Sequence, residues 1–193
     1  MLETIKHIDF LLFKWVHVGM SNSLFDIVMP FIRIPYFWAP VYLFLLVWMW
    51  TQFRYKGLFW CFCFFITFVF CDYISASVIK NLVQRVRPCN DESLQYLIRR
   101  IVHCGSGYSF PSSHAANHFG LSFFIIFTLK NQGKWVVPLA LTWALLICFA
   151  QVYVGVHYPF DILGGAILGI MIAKLISTYF NLKINKWESQ GVE

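Results

Sequence analysis

The stretch GLFWCFCFFITFVFCDYISASVI, residues 57–79, contains a single charged side chain, Asp72, and is long enough to cross a bilayer as a helix. The rest of the chain has the same character. Of 193 residues, 59% are hydrophobic and 12% charged, against roughly a quarter charged in soluble domains. So little charge cannot cover a water-facing surface, and lipid must be the solvent for much of it. The formal charge of +6 then points to anionic lipid head groups rather than nucleic acid. No internal repeat or low-complexity run is present.

Working outward from that stretch, residues 24–51 hold another span, with Pro30, Pro35 and Pro40 breaking or kinking its first half and Arg33 in the broken region. Gln52 to Gly57 is a short charged turn. Residues 3–18 have helical periodicity, with Glu3, Lys6, His7, Asp9, Lys14 and His17 on one face. Ile5, Ile8, Leu11, Leu12, Trp15 and Val18 lie on the other. That division predicts a helix lying in the membrane surface. Acidic Glu3 and Asp9, with no small-residue cleavage site, argue against a removed signal peptide. Residues 80–113 are a long polar excursion. A helix then runs from about His114 to Leu129, followed by the basic turn from Lys130 to Lys134 and spans at 135–156 and 158–181. Lys174 lies near the end of the last span, where it can snorkel. The expected fold is an all-α integral membrane protein, a bundle of about five transmembrane helices preceded by an N-terminal interfacial amphipathic helix. One domain spans 1–193, with the interfacial helix at 1–20, the membrane core at 24–181 and a polar tail at 182–193.

Three polar clusters fall on one side of this bundle: Lys80 to Pro88, Phe110 to His114, and Gln151 to Asp161. Arg54, Lys56, Lys130, Lys134, Lys183 and Lys186 fall on the other. That asymmetry places the clusters outside the cytoplasm, although Lys6, Lys14 and Arg33 lie on the cluster side. Together the clusters hold what metal-free phosphate ester hydrolysis needs: a nucleophile, an acid for the leaving oxygen and cations for the phosphate. Asp161 follows His157 by four residues, close enough to orient its ring and stabilise its cation. His114 opens another helix and is placed to protonate a leaving alkoxide. Ser112, Ser113 and the backbone N–H groups of 112–114 offer donors at a helix N-terminus. Lys80 and Arg87 supply positive charge.

These residues resemble the motifs of the type 2 phosphatidic acid phosphatase family, related to bacterial acid phosphatases and vanadium haloperoxidases. Its K-x6-R-P motif is matched by Lys80, Arg87 and Pro88, and its P-S-x-H motif by Pro111, Ser112, Ser113 and His114. Its S-R-x3-G-x-H-x3-D motif is matched by Gly155, His157 and Asp161. The similarity covers roughly residues 24–180. It implies His157 as nucleophile through a phosphohistidine, Asp161 as its partner and His114 as general acid. Lys80, Arg87 and Ser112 would hold phosphate, with neither metal nor cofactor. It further implies a lipid phosphate or diphosphate substrate at a bacterial inner membrane, the site facing the periplasm or exterior, and no obligatory protein partner. Undecaprenyl diphosphate and phosphatidylglycerol phosphate are the first candidates, and lipid A the next. A catalytically weakened lipid-phosphate-binding protein is the rival, and a haem or metal protein using His114, His118 and His157 a more distant one.

One departure stands out. Ala150-Gln151 replaces the family's Ser-Arg, so Gln151 brings hydrogen bonds to the substrate but no charge. A charged hydrogen bond contributes about 1.5–3 kcal/mol, enough to slow catalysis about tenfold. Arg85, Arg99 and Arg100 are the expected substitutes. Asp72 and His118 are assigned structural or supporting roles. Cys61, Cys63, Cys71 and Cys148 lie in apolar spans, whereas Cys89 and Cys104 flank the polar loop as either a disulfide or two thiols.

Overall fold

A computed structural model describes residues 2–190, and every regular element among them is helical. Helix α1, Leu2–Lys14, continues into a wider turn over Trp15–Gly19. Its apolar face is as expected: Ile5, Ile8, Leu11, Leu12 and Trp15 are exposed, which suits a helix resting in a bilayer surface. The polar face is a correction. Asp9 and His17 do not face water but are buried against the bundle, because each has a protein partner there. The His17 ring donates from Nδ1 to the Tyr153 carbonyl at 2.7 Å and accepts the Arg99 N–H at Nε2, 2.9 Å away. These two contacts require the neutral ring. Arg99 also pairs with Asp26, whose other oxygen accepts the Tyr153 hydroxyl at 2.6 Å.

Helix α2, Ser23–Ile32, is capped by the Asn22 side chain, which accepts the Phe25 N–H at 2.8 Å. Pro30 is absorbed within it, so the break expected at three prolines comes once, at Arg33 and Ile34. Pro35 opens a tight turn over Pro35–Trp38, and Pro40 sits in the first turn of α3, Ala39–Tyr73, where its missing N–H costs nothing. At Arg54 (φ 50°) α3 reverses into two arms, 39–53 and 55–73, which pack together through Met49, Trp60 and Cys63. A wide turn over Ile74–Ile79 and the short α4, Lys80–Val83, prolong the second arm. Then come α5 (Ser113–Leu129), α6 (Val136–Tyr153) and α7 (Pro159–Ser189).

Three helical runs, Pro35–Val83, Val136–Tyr153 and Pro159–Ser189, have the length and apolar character of membrane spans. The reversal at Arg54 divides the first, and α5 completes a bundle of five. The polar tail expected from residue 182 continues α7 as far as Ser189, and 191–193 lie outside the described residues. Lys56 reaches Glu188 at 3.4 Å, so the Arg54 reversal and the end of α7 share one end of the bundle. The three polar clusters share the other. Asp72 faces the bundle as expected, accepting the Asn117 amide of α5 at 3.0 Å. Helix α5 is central, packing on α3, α6 and α7. Its contact with α7 is close because Gly165 and Gly169 have no side chain; a Cβ on either would strike the carbonyl oxygen of Ser112 or Ala116.

His17 lies outside the spanning helices, and burial chiefly lowers its pKa in the fold, against the pull of the Tyr153 carbonyl. A lowered histidine stabilises the fold fully above its unfolded value of 6.5, and that contribution is lost as pH falls below it. The melting temperature in detergent should therefore drop between about pH 7.5 and about pH 5, and thermal scans should show a smaller drop for His17→Gln.

Candidate active site

The link between α6 and α7 is short because one residue ends a helix and another starts the next. Gly155 takes a left-handed conformation (φ 83°), the usual means of ending a helix. A side chain there would also meet the His17 ring at 2.9 Å. Pro159 opens α7, and Asp161 in its first turn accepts the Tyr158 N–H through Oδ2 at 2.8 Å. His157 lies between stop and start. Its Nδ1 is 3.5 Å from Asp161 Oδ2, an ion-pair distance that does not close a hydrogen bond. Catalytic contacts are often this long before substrate arrives. Nε2 is left for a ligand. Burial pushes His157 down to about 4 despite the Asp161 carboxylate, with Arg87 and Lys80 adding to the depression. The ring is therefore neutral at pH 7.

Asp161 is itself held from outside the motif. Its Oδ1 accepts Arg85 Nη1 at 2.8 Å, while Arg85 Nη2 reaches Asp9 Oδ2 of α1 at 2.7 Å. The other Asp9 oxygen accepts the Phe160 N–H at 2.9 Å, and the guanidinium stacks 4.0 Å over the Tyr158 ring. Arg85, expected as a substitute phosphate ligand, is thus committed to two carboxylates.

The Pro-Ser-Ser-His segment forms the second edge of the site and follows a cis Phe110–Pro111 peptide. Ser112 caps α5, its Oγ accepting the Ala115 N–H at 3.3 Å, and its own N–H donates to the Asp161 carbonyl at 3.0 Å. That bond joins the starts of α5 and α7 and removes the Ser112 N–H from the donors expected for phosphate. The N–H groups of Ser113 and His114 keep their place at the helix end, and Ser113 Oγ is buried without a partner. His114 is within electrostatic reach of His157, Lys80 and Arg33.

Lys80 and Arg87 form the third edge. Arg87 Nε donates to the Gly107 carbonyl at 2.7 Å, and Ser109 N–H to the Arg85 carbonyl at 2.7 Å. Asn90 reaches the Gly105 carbonyl at 3.1 Å, and Cys89 and Cys104 form a disulfide with their Cα atoms 5.9 Å apart. The polar loop therefore braces Arg87.

Gln151 is fully buried, and neither of its amide atoms has a partner. Its other expected substitutes are also occupied elsewhere: Arg99 binds Asp26 and the His17 carbonyl, and Arg100 binds Gln95 at 2.9 Å. A cation within electrostatic reach of Arg87 and His114 is Arg33. Burial first, and Arg87 second, hold its guanidinium below the usual range. The available signal was a lone charge in an apolar, proline-rich stretch. His118 stands edge-on to Trp143 at 4.9 Å, consistent with a supporting role.

A sequence profile of the PAP2 superfamily matches residues 62–185. The chain belongs to the PAP2 superfamily. It is 32% identical to a lipid A 4'-phosphatase of Bacteroides thetaiotaomicron across 88% of this chain and 75% of that one. It is 30% identical to an undecaprenyl-diphosphatase of Sulfolobus acidocaldarius across 86% and 74% of the two chains. The crystal structure of a transmembrane PAP2-type phosphatidylglycerolphosphate phosphatase from Bacillus subtilis superposes with a TM-score of 0.69 at 26% identity, covering 94% of this chain and 88% of that one. This PAP2 protein is a membrane enzyme of lipid phosphate hydrolysis.

Removing one partner of a buried ion pair strands the other charge. Arg85→Met should therefore destabilise the fold by about 3 kcal/mol, and adding Asp9→Leu should recover part of that loss. Thermal unfolding in detergent of the single and double variants checks both signs.

Proposed function

We propose that this PAP2 enzyme removes phosphate from a membrane lipid through a phosphohistidine on His157, without a metal. The observation that carries this is a buried, neutral imidazole backed by Asp161, with His114, Lys80 and Arg87 within electrostatic reach. His157 Nε2 attacks phosphorus as the bond to the leaving oxygen breaks, and His114, which takes up a proton as the phosphate anion binds beside it, gives that proton to the leaving oxygen. Asp161 stabilises the positive charge that develops on the ring. His114, now a base, takes a proton from water, whose oxygen displaces the histidine and releases inorganic phosphate. Lys80, Arg87, the Ser113 hydroxyl and the backbone N–H groups of Ser113 and His114 balance the phosphate charge. Ser112 contributes through its hydroxyl proton, since its oxygen already accepts a bond within α5.

For the substrate, similarity to a lipid A 4'-phosphatase over 88% of this chain favours a lipid A phosphate. Undecaprenyl diphosphate and phosphatidylglycerol phosphate, the first candidates from the sequence, retain the support of the Sulfolobus and Bacillus relatives. The proposed setting is a bacterial inner membrane with the site facing the exterior. The Cys89–Cys104 disulfide at the site end and the cations Arg54, Lys56, Lys130 and Lys134 at the other end support that orientation.

The test is phosphate release in detergent and EDTA from these three lipids. At least one should be hydrolysed. His157→Ala should lower the rate about a thousandfold or more and His114→Ala about a hundredfold. Activity retained by His157→Ala, or lost to EDTA and restored by a divalent metal, would contradict the proposal.

A further inference from the structure

Gln151 leaves the site one cation short of the family pattern. Three features place Arg33 on the same wall. Ile32, its neighbour, packs with Ile147 and Ala150 of α6, the latter adjacent to Gln151. Trp38, just beyond the break in the chain, donates to the Ile32 carbonyl at 2.7 Å and stands 6.0 Å from Trp143 of α6. The backbone at Arg33 is thus held where the end of α2 meets α6. Its Nε is buried with no hydrogen-bond partner, and so are both amide atoms of Gln151. Among the described residues no carboxylate forms an ion pair with Arg33, and the charge within electrostatic reach of it is another cation, Arg87. Two half-buried guanidinium groups within electrostatic reach of each other, one with an orphaned donor, create a place for an anion.

We propose that Arg33 is a phosphate-binding residue, bringing in from the α2–α3 break the charge that Gln151 lacks, while the Gln151 amide hydrogen-bonds the same phosphate group. This rests on the site being a phosphate site, as argued above. The break after Ile32 gains a purpose under this assignment. The helix ends at Ile32, and the turn at Arg33–Ile34 keeps the Arg33 charge within electrostatic reach of His114.

The test uses the whole protein in detergent and inorganic phosphate as the probe, with calorimetric titration of wild type, Arg33→Gln, Arg33→Lys, Gln151→Arg and the double variant Arg33→Gln/Gln151→Arg. Arg33→Gln should weaken phosphate binding about tenfold to hundredfold, with Arg33→Lys intermediate. The double variant, with the cation returned to position 151, should recover to within about threefold of wild type. Melting temperatures within about 2 °C of one another exclude a folding defect as the cause. Unchanged affinity in a folded Arg33→Gln protein would overturn the assignment, as would a loss that Gln151→Arg does not recover. Phosphate binding that depends on Arg33 in a protein that hydrolyses no lipid phosphate would leave the assignment standing and remove the hydrolase proposal instead. Wild-type protein that binds no phosphate would overturn the assignment and leave the hydrolase proposal to the phosphate-release test.

Discussion

Two carboxylates withdrawn from solvent, Asp9 and Asp161, share the guanidinium of Arg85, and the functional end of the molecule depends on that bridge. A buried carboxylate without a partner is costly by several kcal/mol. Arg85 offsets that cost twice while fixing the direction in which Asp161 presents its second oxygen. That oxygen both caps the first turn of α7 and faces the His157 ring. The surface helix α1 is thereby tied to the chemistry. Asp9 also holds the Phe160 N–H at the start of α7, so α1 and α7 are joined through a side chain and through the backbone.

The remaining parts of the site follow from how three helix ends are brought together. Gly155 stops α6, Pro159 starts α7, and the few residues between them hold His157 in place. The Ser112 N–H bound to the Asp161 carbonyl brings the start of α5 to the same point, and Gly165 and Gly169 let the two helices remain in contact below it. Lys80 and Arg87 arrive from the extended second arm of α3, with Arg87 braced by the disulfide-closed loop. Arg87 is within electrostatic reach of two other cations, Lys80 and Arg33, and the buried Gln151 adds no charge. Such a cluster is stable only with an anion to bind or with strong support from the fold around it.

The helices and the motif turn were legible because their signals are local. The apolar run at 57–79 and the Gly-x-His-x3-Asp spacing each carry their geometry within a few residues: a helix stop, an exposed ring, a helix start and a first-turn carboxylate. The bridge was not legible, since Arg85 lies 76 positions from both Asp9 and Asp161 and no periodicity connects them. For the same reason the helical pattern shows that Asp9 and His17 share a polar face, but not that partners await them. Pro30 lies inside α2, and the chain breaks only beyond it, at Arg33 and Ile34. Arg33 was visible as an isolated charge, but its neighbours Arg87 and His114 come from other elements.

The central claim is covalent chemistry at His157, and the most direct measurement is rapid quenching of the enzyme with a lipid bearing radiolabelled phosphate, followed by mapping of the label. The expected result is label on His157 that survives alkali and is lost in acid, as a phosphoramidate bond requires, and that is absent from His157→Ala. Turnover without any protein-bound phosphate, or label on Ser112 or Ser113 instead, would contradict it.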